Sequence, residues 1–399
     1  MIDSKRWSIV ALAFEVNVFA VITAFTSACD LSELSVAHHG QRVAYIALRI
    51  AEHMHLPYVT KEKLLLAALL HDVGVSSSRE KLQLADLNVQ DDQVTPHCLR
   101  GAELLGSCDL FSAYSSIILR HHDPYTKQPP LLSRIIHLAD RIEILIDKKR
   151  YILNQAEEIL NIITSLSGTL FDPQLVKIVK ELSVKPSFWF DLASGYYQQH
   201  LSQYTGHQTN SLSIEQLESL AQLYSRVIDA KSPFTSRHSQ GVGELAVNLA
   251  KTIGFGADDV RLIRIAAWLH DLGKLAIPDE ILESPGQLTM EQRQIMQQHP
   301  YYTYHLLNSL GPQAEKIRNW AGFHHEYLDG SGYPFGLTST ELDVGARIMA
   351  IADITQALQE ERPYRKPLPP AEISKILHEY ARAGKIDAEL VQTMIQLLP

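Results

Sequence analysis

Apolar residues recur at helical spacing along almost the whole chain, as in Val43, Ile46, Ala47 and Ile50 and again in Val242, Leu245, Ala246 and Leu249. This pattern predicts amphipathic helices, and no alternation of apolar and polar residues runs long enough to predict strands. The expected fold class is all-α. Leu64–Leu70 and Leu262–Leu269 are apolar on nearly every side, which suits a central helix wrapped by others, and each ends in the dipeptide His-Asp. The run from Ile9 to Ala28 imitates a secretory signal after Lys5 and Arg6, but Asp3 precedes the basic pair and Glu15 and Asn17 interrupt the run. A buried amphipathic helix is expected there. No other window approaches the roughly eighteen apolar residues of a spanning helix.

The two halves of the chain repeat one another. His39 precedes His71 by 32 residues, and His238 precedes His270 by 32. His97 follows His71 by 26 and His299 follows His270 by 29; the pairs His121-His122 and His324-His325 come 24 and 25 residues further on. Leu138-Ala139-Asp140-Arg141 answers Ile351-Ala352-Asp353-Ile354. Matched spacings of this kind are the signature of a duplicated unit. Two helical domains in tandem are expected: 1–184 with a helical extension over Gln155–Leu182, a connector at 185–212, and 213–399. The aromatic residues of the connector (Phe188, Trp189, Phe190, Tyr196, Tyr197) are expected to dock the two domains. Ser213 and Gln216 have the spacing of a capping box at the start of the second.

Composition narrows the functions. The 36 basic and 45 acidic residues leave a net charge of −9, which argues against a partner bound through bulk positive charge, such as a nucleic acid polymer. Three cysteines without CxxC spacing make no disulfide framework, so a reducing cytoplasm is the expected location. Ten of the 18 histidines fall in the repeat. In the second half the set is His238, His270, Asp271, His299, His324, His325 and Asp353; in the first it is His39, His71, Asp72, His97, His121, His122 and Asp140. Imidazoles and carboxylates in this number suit divalent transition metals. Seven ligands exceed the need of one ion, so two ions sharing a carboxylate are expected in the second half, roughly 3.5–4 Å apart with a bridging hydroxide as nucleophile. A further site in the first half is a weaker expectation.

These motifs resemble the HD superfamily of metal-dependent phosphohydrolases, and the second half resembles its HD-GYP subfamily of cyclic dinucleotide phosphodiesterases. His270-Asp271-Leu272-Gly273-Lys274 is similar to the HD-x-GK motif, His324-His325-Glu326 through Asp329-Gly330-Ser331-Gly332-Tyr333-Pro334 to HHE-xx-DGxGYP, and Arg362-Pro363-Tyr364-Arg365 to RPYR. The resemblance implies two tandem HD-type bundles and hydrolysis of cyclic di-GMP to the linear dinucleotide or to GMP with iron or manganese. Lys274 is expected to meet charge growing on phosphate in the transition state. Arg362 and Arg365 are expected to grip phosphate with guanidinium forks. The loop containing Gly332 and Tyr333 is expected to close over substrate or to dock a diguanylate cyclase or other signalling protein.

Departures from the subfamily pattern adjust these expectations. Phe234 stands where three-metal members carry a Glu, which favours two ions. Ser232 and Gly241 stand where Asp and Arg are usual. Gln356 replaces a carboxylate that the resemblance pairs with a guanine edge, making hybrid cyclic GMP-AMP an alternative substrate. The first half has Val75 where the second has Lys274, no DGxGYP loop, and Asp140 only 18 residues after His122. A regulatory or structural role is expected for it. Two further readings are a nucleotide-binding adaptor with little turnover and a general HD-class phosphatase.

Overall fold

The computed structural model describes residues 13–31, 38–75, 77, 80, 83–84, 91–205, 210–231, 238–284, 286–361 and 366–398. Its first half contains β1 (Ala13–Val16) and the helices α1 (Val18–Leu31), α2 (His39–His53), α3 (Tyr58–Leu69), α4 (Asp91–Gly106), α5 (Ser115–Leu119), α6 (Leu131–Ile144), α7 (Leu153–Ser165), α8 (Pro173–Ser183), α9 (Pro186–Ser194) and α10 (Tyr197–Thr205). The second contains β2 (Asn210–Ser213), α11 (Ile214–Ala230), α12 (His238–Thr252), α13 (Ala257–Leu269), α14 (Asp279–Leu282), α15 (Met290–Met296), α16 (His299–Leu307), α17 (Glu315–Gly322), α18 (Val344–Gln359), α19 (Pro370–Arg382) and α20 (Ala388–Gln396). The all-α expectation holds. No helix among the described residues is long and apolar enough to cross a membrane.

Both halves are built the same way. α2 packs on α3 and α6, and α12 packs on α13 and α18. The runs read as central helices become α3 and α13, and they are central because few polar side chains interrupt their buried surface. Leu64, Leu65, Ala67, Ala68 and Leu69 of α3 are buried, as are Ile263, Ile265, Ala266, Ala267 and Leu269 of α13. The paired alanines give neighbouring helices close approach; α13 stops directly before its His-Asp dipeptide and α3 one residue before. The capping box at Ser213 and Gln216 is present, with both reciprocal hydrogen bonds made.

Two expectations need correction. Residues 13–16 form a strand paired antiparallel with residues 210–213, Phe14 opposite Leu212, where no strand was read. Four residues are too short to display alternation, and the pairing partner lies on the far side of the first half. Glu15 is exposed in this strand. Asn17, just past the strand, accepts a hydrogen bond from the Ala20 amide (3.0 Å) and so caps α1.

The connector is also more than a connector. Pro186 opens α9 and Gly195, at φ 84°, closes it. That short helix turns Phe188 and Trp189 inward, and Phe188 and Tyr197 pack around Tyr45 of α2 (ring centroids 6.1 and 6.5 Å). These aromatics thus complete the first half, while Phe190 and Tyr196 are exposed. The docking of the halves falls instead to α1: Phe25 stacks on Tyr224 of α11 at 4.0 Å and 4°, and Thr26 donates to the Leu69 carbonyl at the end of α3 (3.2 Å). Phe25→Ala should lower the unfolding free energy by about 3 kcal/mol, the usual scale for an aromatic lost from a core. A urea midpoint indistinguishable from that of the parent chain would show that α1 does not hold the halves together.

Candidate metal centre

In the second half the helix ends supply the site. His238 opens α12, His270 and Asp271 follow α13, His299 opens α16, His324 and His325 follow α17, and Asp353 sits inside α18. Gly273 lets the turn after Asp271 lie on the start of α16, where a Cβ would fall 2.0 Å from the His299 carbonyl oxygen. Thr303 fastens the two together: its hydroxyl accepts from the Gly273 amide (2.9 Å) and donates to the His270 carbonyl (2.8 Å).

Ring orientation is set locally. The Nδ1 atoms of His270, His299 and His324 each face the carbonyl three residues earlier, of Ala267, Met296 and Ala321, at 2.6–2.7 Å. A carbonyl only accepts, so each Nδ1 carries the proton and each Nε2 presents a lone pair. The His238 ring is oriented instead by the Glu360 carboxylate, 3.0 Å from its Nδ1.

The Nε2 atoms converge on the two aspartates. His238 Nε2 lies 3.2 Å from Asp353 Oδ1 and 3.8 Å from Asp271 Oδ2; His270 Nε2 lies 3.3 Å from Asp271 Oδ2. The other Asp271 oxygen is 3.4 Å from His299 Nε2, and His325 Nδ1 is 3.7 Å from Asp353 Oδ2. Asp271 therefore stands between His238, His270 and Asp353 on one side and His299, His324 and His325 on the other. Lys274 donates to its Oδ2 at 2.5 Å.

The electrostatics are those of a cation site. Burial pushes the His299 imidazole down to about 3, His324 well below the usual histidine range and His325 lower, so these rings are neutral. His299 Nε2 and His324 Nε2 then meet at 3.2 Å with no proton between them, and buried His270 Nε2 has no hydrogen-bond partner. Facing lone pairs repel unless a positive ion lies between them. Burial opposes charge on Asp271 and Asp353 too, yet His270 and Lys274 hold the first, and His238 and His325 the second, well below the usual carboxylate range. Burial likewise opposes protonation of His238, but Asp353 and Glu360 outweigh it and raise that ring to about 9. The donor set fits divalent transition ions.

The neighbouring loop is held by Glu326, which accepts from the Phe335 and Leu337 amides (2.6 and 3.0 Å). Gly332 presses on the backbone of residues 326 and 327, a Cβ there falling 2.4 Å from the Tyr327 nitrogen. Tyr333 donates its amide to the His325 carbonyl (3.2 Å) and lays its ring 4.9 Å from that imidazole. Gln356 donates to Glu360 (2.8 Å) and fills the space beside Gly241. Ser232, Phe234, Arg362 and Arg365 lie outside the described residues.

The first half gathers its seven residues in the same way. His39 Nε2 lies 3.3 Å from Asp140 Oδ1 and 3.6 Å from Asp72 Oδ2, and His97 Nε2 lies 3.3 Å from His121 Nε2. The Ala68 and Ile118 carbonyls orient His71 and His121. Sequence reasoning did not single out Glu360, Thr303 or, in the first half, Glu143, nor did it assign a role to Glu326. Glu360 follows Asp353 by seven residues, a two-turn helical spacing that would have flagged it as a neighbour.

Comparisons with known proteins agree with this geometry. Models of the HD domain match residues 36–145 and 222–390. The chain is 32% identical to the 3'3'-cGAMP-specific phosphodiesterase 1 of Vibrio cholerae serotype O1, covering 98% of this chain and 96% of that protein. It is 38% identical to a cyclic di-GMP phosphodiesterase of Thermotoga maritima over 41% of this chain and 44% of the relative. A crystal structure of a cyclic GMP-AMP specific phosphodiesterase of V. cholerae superposes with a TM-score of 0.66 at 26% identity, covering 97% of this chain and 99% of that one. With two clusters of metal-ligating side chains on two HD bundles, and a relative matched from end to end, the chain belongs to the HD-domain family of cyclic dinucleotide phosphodiesterases.

Proposed function

We propose that the second half cleaves a phosphodiester bond of a cyclic dinucleotide, and that the hybrid 3'3'-cyclic GMP-AMP is preferred over cyclic di-GMP. The observation that carries the reaction is the shared position of Asp271, with imidazoles on both sides and the Lys274 ammonium on one oxygen. His238, His270 and Asp353 would hold one divalent ion, His299, His324 and His325 the other, and Asp271 both; iron or manganese suits these donors. Such a pair supplies Lewis acidity toward phosphate and draws the pKa of water from 15.7 toward neutrality. Lys274 is placed to meet negative charge developing on a non-bridging phosphate oxygen. Tyr333, against His325, borders the same space.

The substrate preference rests on Gln356. A carboxylate only accepts hydrogen bonds and suits the donor edge of guanine, whereas an amide both donates and accepts and suits adenine. Gly241 leaves that amide room. The end-to-end relative named for cyclic GMP-AMP supports the same choice, which displaces cyclic di-GMP from first place in the sequence reading.

Chromatography of the products from 3'3'-cyclic GMP-AMP and cyclic di-GMP, with manganese or reduced iron, tests both steps. The hybrid should give the higher kcat/KM, and Gln356→Asp should move the ratio toward cyclic di-GMP by about tenfold, within the range for one base contact. Turnover of neither compound would defeat the reaction assignment, and an unmoved ratio would defeat the role of Gln356. Lys274→Ala should reduce kcat about 10²–10³-fold with metal content retained; unaltered kcat would remove Lys274 from the chemistry. Gly332→Ala should cost roughly 10²-fold in turnover through displacement of the loop, while melting and metal content stay near those of the parent. Full turnover in that variant would show that the loop's close approach is dispensable.

A further inference from the structure

The two clusters share a ligand pattern but differ in the charges around it. In the first half Arg141, next to Asp140 in α6, places Nε 2.9 Å and Nη2 2.6 Å from Asp140 Oδ2, both side chains being buried. The corresponding neighbour of Asp353 is Ile354. Three residues after His39 comes Arg42, and three after Asp140 comes Glu143; Arg42 Nε donates to Glu143 at 2.6 Å, and Glu143 also takes His39 Nδ1. The matching positions in the second half are the uncharged Gly241 and Gln356. Three first-half carboxylates (Asp72, Asp140, Glu143) thus face two buried guanidiniums, with Lys148 at the rim 3.9 Å from Glu143. In the second half Lys274 pairs with Asp271.

We propose that the first-half cluster is a single-ion site for a zinc-class divalent cation, ligated by Asp72, His97, His121 and His122, with its second position closed by the Arg141–Asp140 and Arg42–Glu143–His39 ion pairs. The four ligand atoms lie within 4.8 Å of one another. Three imidazoles and one carboxylate match tetrahedral zinc better than six-coordinate manganese or iron. The group formed by His39, His71 and Asp140 is equally compact, but Arg141 on Asp140 Oδ2 and Arg42 on Glu143 place two fixed positive charges beside it, and these oppose the entry of a second cation. Val75 in place of Lys274 leaves Asp72 at the more open end of the cluster, with 22% of its side chain exposed against 2% for Asp271.

Elemental analysis of the full chain tests this without reference to turnover, so its failure and that of the phosphodiesterase reading are separable. After loading with Zn²⁺ and gel filtration, the parent chain should carry one ion more than the variant His97→Ala/His121→Ala. A difference of none or of two would overturn the proposal. In a chain whose second half is disabled by His270→Ala and Asp271→Ala, Co²⁺ titration should give visible absorption of four-coordinate intensity that breaks at one equivalent. A break at two, or no such absorption, would overturn it equally. Arg141→Ile in that background should move the break to two equivalents; a break that stays at one would show that Arg141 is not what closes the second position.

Discussion

An imidazole whose Nδ1 proton is taken by the carbonyl one helical turn behind it has a single lone pair left, and its direction is fixed by the helix rather than by the side chain. His270, His299 and His324 are all held this way, and so are His71 and His121. The rest of the site depends on that constraint. Helix ends must meet at one place for the lone pairs to converge, which is why α13 has to stop at His270 and why α16 must approach closely enough to need Gly273. Cations drawn into such a pocket find their ligands already oriented, so little ordering remains to be done on binding.

The same constraint makes the duplicated half informative. Backbone geometry reproduces the inward-facing imidazoles in both bundles, so the difference between them lies in the charges that reach the aspartates. Lys274 against Val75, Ile354 against Arg141, Gly241 against Arg42 and Gln356 against Glu143 are four local substitutions on one scaffold. In the first half they bring two buried guanidiniums onto the carboxylates Asp140 and Glu143. Compensation of this kind stabilises the metal-free bundle, because a buried carboxylate without a partner is costly.

Much of this was legible in the sequence because the repeat displays spacing as well as residue type: His39 to His71 and His238 to His270 are separated by the same 32 residues. What stayed hidden shares a physical cause. Glu360 and Glu143 act on histidines more than 100 residues away, and nothing local marks a solvent-type residue for burial. The strand at 13–16 exists only through its pairing with 210–213, and four residues cannot announce a period. The aromatics of α9 and α10 were visible as a cluster, but which surface they cover is decided by Tyr45, a residue that looks like one more position on a helix.

The placement of α1 follows from the same packing. Its Thr26 hydroxyl touches the Leu69 carbonyl, two residues before His71, and the Thr26 methyl fills the space over Gly40, next to His39. Its other side, at Val21, Ala24 and Phe25, borders a small apolar gap shared with Leu269 and Leu272, which flank His270 and Asp271. One helix thus lies against both His-Asp turns. A shift of either turn large enough to alter its ligand geometry would have to move α1 or open a void beside it, and close-packed interiors resist both. The two clusters are therefore held in register by a segment that contributes a ligand to neither, so a sequence reading confined to the motifs would pass it over.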